Sequence, residues 1–303
     1  MTYVIYKLGT LMTLGANFMK PNFMIIGAAR SGTTSLYLYL EQHPEIYFSD
    51  VKELNFFSNE KYWKKGLKWY ESRFKPKKRN ISCIGEASTS YTRAPLTQNT
   101  ARRIYEYNPN MKLIYLVRDP IDRLISHYLH RIQAGQEIRD FNEIIENIKN
   151  ETFAWQGLYH YQLQQYTHYF DREQIFVCSM DQLKSDPEFV IKNIFRFLGL
   201  NSELDIGKTG RVFNANKNTT RKSKTGIFFM DLYRGHLQQR SLPYQAKKMV
   251  KKLGEIGAKN ITPPKLGHEE YCKLVSFYRQ DSINLGEEFG VKVDNWFSKN
   301  IEQ

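Results

Sequence analysis

Short apolar runs alternate with amphipathic stretches along the first two-thirds of the chain. Short apolar runs are typical of buried strands, and apolar residues three and four apart are typical of helices. The predicted strands are residues 22–27, 45–49, 81–88, 111–117 and 174–180. The predicted helices are residues 32–42, 91–107, 120–135, 155–170 and 187–198. This alternation predicts an α/β fold, in which a central parallel sheet is flanked by helices.

The carboxyl ends of the predicted strands collect residues of several chemical types. Gly27, Glu86, Arg118 and Met180 all fall at such ends. Ligands of open parallel sheets bind beyond those ends, so we expect the functional site there.

The remaining segments suggest one domain with an extension and a lid. Residues 1–20 are a weakly apolar N-terminal extension that lacks the features of an export signal, and residues 21–303 form a single domain. Residues 201–226 are polar and basic without periodicity, as expected of a lid loop over a ligand. Residues 227–303 return to helical patterns.

Charge and cysteine content narrow the candidate partners. The formal net charge of +13 predicts an anionic partner, such as a nucleotide, a nucleic acid, an acidic glycan or a membrane surface. The three cysteines are scattered, which indicates neither a disulfide framework nor a zinc site. A reducing, cytoplasmic location is therefore expected. No apolar run approaches the roughly 20 residues of a transmembrane helix.

A glycine-rich loop lies in the segment IIGAARSGTTSLYLYL, residues 25–40. Gly27 and Gly32 have the G-x-x-x-x-G spacing of a P-loop, so the fold is predicted to be a P-loop-like three-layer one. The N–H groups of such a loop and of the following helix bind tetrahedral anions. Candidate anion-binding residues are Arg30, Ser31, Gly32, Thr33, Thr34 and Ser35. A P-loop has Lys at position 33, and its replacement by Thr argues against an NTPase.

Two other segments carry candidate chemistry. In LVRDPIDRLISHY, residues 116–128, Arg118 ends a strand and Ser126 lies two turns into a helix, so both can face one phosphate. The arginine at the strand end gives little support to a Mg²⁺ site. In DVKELNFF, residues 50–57, Glu53 lies beside apolar residues, where a carboxylate can act as a general base.

Taken together, these segments resemble the sulfotransferases that use 3′-phosphoadenosine 5′-phosphosulfate (PAPS). AARSGTTSLYLYLEQHP resembles the family's 5′-phosphosulfate loop, and LVRDPIDRLISHY resembles its 3′-phosphate motif. KELNFF, GEASTSY and GLYHYQLQQYTHYF are similar to segments of carbohydrate-type and bacterial members, including the heparan sulfate sulfotransferases. The resemblance runs from about residue 22 to residue 200.

The resemblance implies a reaction and a role for each candidate. A sulfuryl group passes from PAPS to a hydroxyl or amine of a glycan, glycolipid or small-molecule acceptor, PAP is released, and neither metal nor nucleic acid is expected. Glu53 is then the general base, and Arg30 stabilises charge on the sulfuryl group. The cofactor-binding residues are Arg30, Ser31, Gly32, Thr33, Thr34, Ser35, Arg118, Ser126, Arg221 and Lys222. Arg221 and Lys222 belong to RKS, which resembles an R-K-G motif of cytosolic sulfotransferases.

The chain departs from the family's pattern at two positions. Arg30 stands where the family usually has Lys, and Ala87 stands where heparan sulfate members have Lys after a Glu. Lys52 is a candidate to supply the missing charge.

Several alternatives stay open on the sequence alone. His127 and His130 are secondary candidates for the base. A P-loop-type ATP-dependent kinase and a non-enzymatic protein that binds nucleic acid or anionic membrane are the competing functions. The sequence does not indicate an oligomeric state.

Overall fold

A five-stranded parallel sheet forms the centre of the computed structural model, which describes residues 20–76, 80–203, 219–221 and 259–298. The strands in these ranges are β1 (Phe23–Gly27), β2 (Ile46–Phe48), β3 (Cys83–Ala87), β4 (Lys112–Val117), β5 (Ile175–Ser179), β6 (Thr219–Arg221) and β7 (Lys259–Ile261). The first five pair in the order β2-β3-β1-β4-β5, all in parallel. Each of these five lies within a predicted apolar run.

Helices cover both faces of this sheet, which confirms the predicted three-layer α/β fold. The α-helices in the described ranges are α1 (Thr33–Leu40), α2 (Glu60–Trp63), α3 (Gly66–Glu71), α4 (Thr100–Tyr107), α5 (Pro120–Gln133), α6 (Phe141–Glu146), α7 (Thr152–Trp155), α8 (Tyr159–Thr167), α9 (Met180–Ser185), α10 (Pro187–Leu198) and α11 (His268–Phe289). One face packs on α1 and α10, and the other packs on α4, α8 and α11.

The strand side chains alternate between these two cores, as the pleat of a strand requires. Met24 and Ile26 enter the core with α4 and α8, whereas Phe23 and Ile25 enter the core with α1. Gly85 of β3 has no room for a side chain, because a Cβ there would lie 2.2 Å from the ring of Phe23. The close approach of β3 to that ring therefore depends on glycine.

The helix predicted at residues 91–107 begins later than the apolar pattern indicated. Thr89–Tyr91 forms a 3₁₀ turn, and α4 starts only at Thr100. Pro95 explains the difference, because proline lacks an N–H and disfavours a helical conformation at the residue before it. The structure also shortens the helix predicted at residues 155–170, since α8 spans Tyr159–Thr167.

The structure adds elements that the pattern did not indicate, namely α9, the strands β6 and β7, and the short helices α2, α3, α6 and α7. Helix α9 follows β5 directly and starts at a capping box, in which Ser179 and Gln182 bond to each other's backbone N–H at 3.1 and 2.9 Å. Strands β6 and β7 form an antiparallel pair, and β6 lies beside α5. Of the predicted lid, residues 204–218 and 222–226 lie outside the described residues, as does the extension up to residue 19.

Candidate active site

The glycine-rich loop between β1 and α1 turns sharply through residues with positive φ angles and leads into the first turn of α1. Arg30 and Gly32 both have positive φ angles, of 70° and 93°. Glycine adopts this conformation readily, whereas for arginine it is unusual. Thr33 and Thr34 follow in the first turn of α1, where backbone N–H groups have no intrahelical acceptors. The loop and this turn therefore present N–H groups and hydroxyls on one side.

These residues line a cleft of about 740 Å³ at the carboxyl end of the sheet. The cleft brings together eight of the predicted site residues: Arg30, Gly32, Thr33, Thr34, Ser35, Glu53, Arg118 and Ser126. They come from three separate segments of the chain, namely the glycine loop with α1, the loop after β2, and β4 with α5. Of the four residues predicted to cluster at the strand ends, Arg118 and Met180 line this cleft, whereas Gly27 and Glu86 do not.

Arg30 joins the two predicted anion sites. Its Nε donates a hydrogen bond of 3.2 Å to Oγ of Ser126 on α5. Burial lowers the pKa of Arg30, and the nearby charges of Arg118 and Arg123 lower it further. The positive charges of Arg118 and Arg123 repel that of Arg30, and an anion bound at Arg30 would relieve this repulsion.

Arg118 lies on the same cleft and has a carboxylate neighbour. Its Nη2 is 3.5 Å from Oδ2 of Asp122, one helical turn further on. Asp119 caps α5 by accepting hydrogen bonds from the N–H groups of Ile121 and Asp122, at 2.8 and 3.1 Å. That cap fixes the first turn of α5, and hence the place of Arg118 beside it.

Glu53 projects into the cleft from a loop in an unusual backbone conformation. Its φ angle is 62°, and that of Asn55 is 53°. The N–H of Glu53 bonds to the carbonyl of Ala87 at 3.1 Å, and the N–H of Asn55 bonds to Oγ of Ser88 at 2.9 Å. The Thr89 hydroxyl lies 3.3 and 3.4 Å from the two carboxylate oxygens of Glu53. The residues that follow β3 thus hold this loop.

The buried carboxylate of Glu86 forms hydrogen bonds that stabilise the segment next to the Glu53 loop. Its oxygens accept hydrogen bonds from Tyr70 and Tyr91 at 2.6 Å each, and from Ser88 at 2.5 Å. Burial raises the pKa of Glu86, and these three hydroxyl donors oppose the rise. Because Ser88 also accepts from Asn55, Glu86 is connected to the loop of Glu53 through one hydroxyl.

Lys52 reaches the glycine loop from the residue next to Glu53. Its Nζ donates a hydrogen bond of 2.7 Å to Oγ1 of Thr34. Burial lowers the pKa of Lys52, and the charge of Glu53 opposes this. The loop thus gains a cation from outside itself.

The two histidine candidates on α5 differ in their surroundings. Nδ1 of His127 lies 3.1 Å from Nη1 of Arg123, which is always a donor, so Nδ1 is the acceptor. Burial, followed by Arg123 and other nearby cations, lowers the pKa of His127 to about 2, so its ring is a poor proton acceptor. His130 lies at the rim of the cleft, where partial burial and Arg30 lower its pKa.

Three predicted residues are placed differently from the rest. The side chain of Ser31 is fully buried and does not line the cleft, and its N–H bonds to the carbonyl of Ala28. The backbone of Arg221 lies at the end of β6, paired with Lys259. Lys222 lies outside the described residues.

The cleft also contains residues that the sequence did not single out, notably Arg93, Asp122 and Lys184. Arg93 lies two residues after the end of the GEASTSY segment, so its proximity to a recognised motif was a usable signal. Asp122 lies within the LVRDPIDRLISHY segment and so had a comparable signal, whereas Lys184 had none. Within the described ranges, no group of three or more His, Cys, Asp or Glu side chains could hold a metal ion.

Residues 20–234 match the family described as the sulfotransferase domain. This match covers most of the chain, and the chain belongs to that family. The resemblance drawn from the sequence motifs, and with it the sulfotransferase class of enzyme, is therefore confirmed. Among the helices that the structure describes, none is long and apolar enough to cross a membrane.

Curated relatives include three larger sulfotransferases. The mouse bifunctional heparan sulfate N-deacetylase/N-sulfotransferase 4 is 25% identical over 306 residues, which is 93% of this chain and 32% of that protein. The human heparan sulfate glucosamine 3-O-sulfotransferase 6 is 29% identical over 186 residues, 59% of this chain and 52% of that protein. The membrane-associated sulfotransferase kil1 of Dictyostelium discoideum is 41% identical over 115 residues, 37% of this chain and 23% of that protein. The matched regions span between a quarter and a half of these relatives.

A solved structure shares the fold along almost the whole chain. The crystal structure of a sulfotransferase from Alicyclobacillus acidocaldarius superposes with a TM-score of 0.63 at 24% identity. The superposition covers 92% of this chain and 99% of that one. The three-layer arrangement around the parallel sheet is therefore the same in both.

Proposed function

We propose that this enzyme transfers the sulfuryl group of PAPS to a hydroxyl or amine of a glycan or glycolipid and releases PAP. The observation that carries the proposal is the hydrogen bond between Arg30 of the glycine loop and Ser126 of α5. The bond joins a residue expected to hold the 5′-phosphosulfate to one expected to hold the 3′-phosphate, which supports one ligand that contacts both. A ligand with two separated anionic groups suits such a cleft.

The loop and its surrounding cations would stabilise the transferred group. The acceptor oxygen or nitrogen forms a bond to sulfur as the bond from sulfur to the 5′-phosphate oxygen breaks, and PAP leaves with that oxygen. Negative charge grows on the leaving phosphate, which Arg30, Lys52 and the N–H groups of the loop would face. Fixed charges and dipoles aimed at developing charge are an effective means of catalysis.

Glu53 is the proposed general base. It lies in the cleft with the loop residues, and Thr89 bonds to its carboxylate. During transfer, the proton of the acceptor hydroxyl or amine would pass to this carboxylate. His127 is a weaker candidate, because its accepting nitrogen already bonds to Arg123.

The glycan acceptor is supported by the names of the relatives, two of which are heparan sulfate sulfotransferases. Because this chain matches only part of those proteins, their substrates enter as a proposal. A cytoplasmic location likewise remains a prediction, based on the scattered cysteines.

Ligand-dependent melting tests the proposal against the kinase alternative. PAP is expected to raise the melting temperature without added metal, because a ligand that binds only the folded state stabilises it. ATP with Mg²⁺ is expected to do much less, since Lys is missing at position 33. A larger shift with ATP and Mg²⁺, or loss of the PAP shift on adding EDTA, would contradict the proposal.

A further inference from the structure

Arg93 lines the cleft but belongs to none of the donor-binding segments. It follows β3 and the 3₁₀ turn, and it shares the cleft with Glu53 and Thr89. The Arg30 and Arg118 guanidiniums lie on the glycine loop and at the end of β4 instead. Arg93 is thus a cation that shares the cleft with the proposed base and lies outside the segments assigned to the donor phosphates.

The guanidinium of Arg93 is poorly satisfied. Its Nε is buried and has no hydrogen-bond acceptor among the residues that the structure describes. Burial lowers the pKa of Arg93, the charge of Glu53 opposes that effect, and Arg131 adds to it. Buried donors in native proteins nearly always have a partner, so an unpaired one beside a cleft is available to a bound ligand.

The backbone that carries Arg93 is held firmly from both sides. The side chain of Gln162 on α8 bonds to the N–H and the carbonyl of Ala94, at 2.8 and 2.9 Å. The Thr92 hydroxyl donates to the carbonyl of Ile26 at 3.0 Å, and Tyr166 donates to the carbonyl of Tyr91 at 2.9 Å. Arg93 is therefore presented to the cleft by a rigid segment, which lowers the entropic cost of binding through it.

We infer that Arg93 forms a subsite for an anionic group of the acceptor, a carboxylate or a sulfate close to the hydroxyl or amine that is attacked. The inference rests on the proposed function, because it assigns the two sides of the cleft to donor and acceptor. Planar guanidinium groups bind carboxylate and sulfate oxygens in pairs, which would also orient the acceptor. The repulsion between that anion and Glu53 is offset by the charge of Arg93.

The test compares two matched sugars on the full chain saturated with PAP, which occupies the donor side. One is 4-nitrophenyl β-D-glucuronide, and the other is the neutral 4-nitrophenyl β-D-glucoside. The wild type is expected to bind the glucuronide about ten-fold or more tightly in calorimetric titration, the effect of one charge-assisted pair. The 6-sulfate of the same glucoside, as a third ligand, shows whether sulfate serves as well as carboxylate.

The variant Arg93→Gln is expected to bind both sugars equally, with an unchanged melting shift on PAP. Arg102→Gln, an equal loss of charge at an exposed arginine of α4, is the control and keeps the preference. The subsite is contradicted if the wild type shows no preference, or if Arg93→Gln retains it. A lost PAP shift in Arg93→Gln would assign the residue to the donor instead. If PAP does not raise the melting temperature of the wild type, the proposed function itself is contradicted. This outcome is distinct from a failure of the Arg93 subsite alone.

Discussion

Lys52 donates a hydrogen bond of 2.7 Å to the hydroxyl of Thr34, and so brings a positive charge to a glycine loop whose own cation is Arg30. Lys52 is also next in sequence to Glu53, the proposed base. One short segment thus supplies both a cation on the proposed donor side and a carboxylate on the proposed acceptor side of the cleft. Movement of this segment would displace both groups together.

Removal of the Lys52 charge is expected to affect PAPS more than PAP. The ammonium lies at the loop for the 5′ end of the donor, and PAP lacks the sulfuryl group there. For Lys52→Gln we expect about ten-fold weaker PAPS binding and nearly unchanged PAP binding. Calorimetric titration of both ligands, with Lys64→Gln at the exposed end of α2 as the control, measures this. Equal losses for PAP and PAPS would mean that Lys52 does not face the sulfuryl group.

Arg118 is expected to discriminate donors by their 3′-phosphate. Each charge-assisted hydrogen bond to that phosphate is worth about 1.5–3 kcal/mol. Arg118→Ala should therefore weaken PAPS binding strongly, and should cost much less with adenosine 5′-phosphosulfate, which lacks the phosphate. Titration of both nucleotides gives the comparison. If both lose the same affinity, Arg118 binds another part of the donor.

The hydrogen bonds to the buried Glu86 are expected to contribute to the free energy of unfolding. Tyr70→Phe deletes one of three hydroxyl donors to this carboxylate, and an incompletely satisfied buried group costs about 1–3 kcal/mol. Chemical denaturation should show a loss of this size. Tyr105→Phe, at a partly exposed position on α4, should change the unfolding free energy little. A Tyr70→Phe variant as stable as the wild type would show that the Glu86 network contributes little.

His127 is expected to make the enzyme sensitive to acid. Its pKa is lowered to about 2 in the fold, first by burial and then by Arg123, from an ordinary value of 6.5. Between these values the unfolded chain binds more protons than the folded one, so stability rises with pH and is lost as pH falls below about 6.5.

The variant His127→Asn keeps an oxygen that can accept from Arg123 but does not titrate. The unfolding free energy, measured by denaturant titration from neutral pH downward, should fall less steeply for His127→Asn than for the wild type. His168→Asn, at an exposed position, should follow the wild type. Identical slopes for His127→Asn and the wild type would mean that this ring is not responsible for acid sensitivity.

The sequence predicted the sheet and most of the cleft because both depend on local signals. The apolar runs predicted β1 to β5, and the spacing of Gly27 and Gly32 predicted the anion-binding loop. The position of Arg118 at the end of a predicted strand indicated that it lies at the site. The late start of α4 was missed because the apolar pattern continues through Pro95. The proline itself indicates that no helix runs through this position.

The remaining features depend on contacts between residues far apart in the sequence. The position of Arg93 depends on its neighbour Ala94, which bonds to Gln162, 68 residues further on. Lys52 meets Thr34, 18 residues away, from a loop in which Glu53 has a positive φ angle that its sequence does not require. The low basicity of His127 results from burial with Arg123 and the other cations near it. No window of sequence contains such information.

The central claim is that Glu53 accepts the acceptor's proton during sulfuryl transfer from PAPS. The direct measurement follows radioactive sulfur from PAPS into N-desulfated heparan sulfate oligosaccharide, for the wild type and for Glu53→Gln. Glutamine keeps the size of the side chain but cannot take the proton, so transfer should slow by about 10²–10⁴. The melting shift on PAP should stay unchanged. No labelled oligosaccharide from the wild type, or a Glu53→Gln rate within a few-fold of it, would contradict the account.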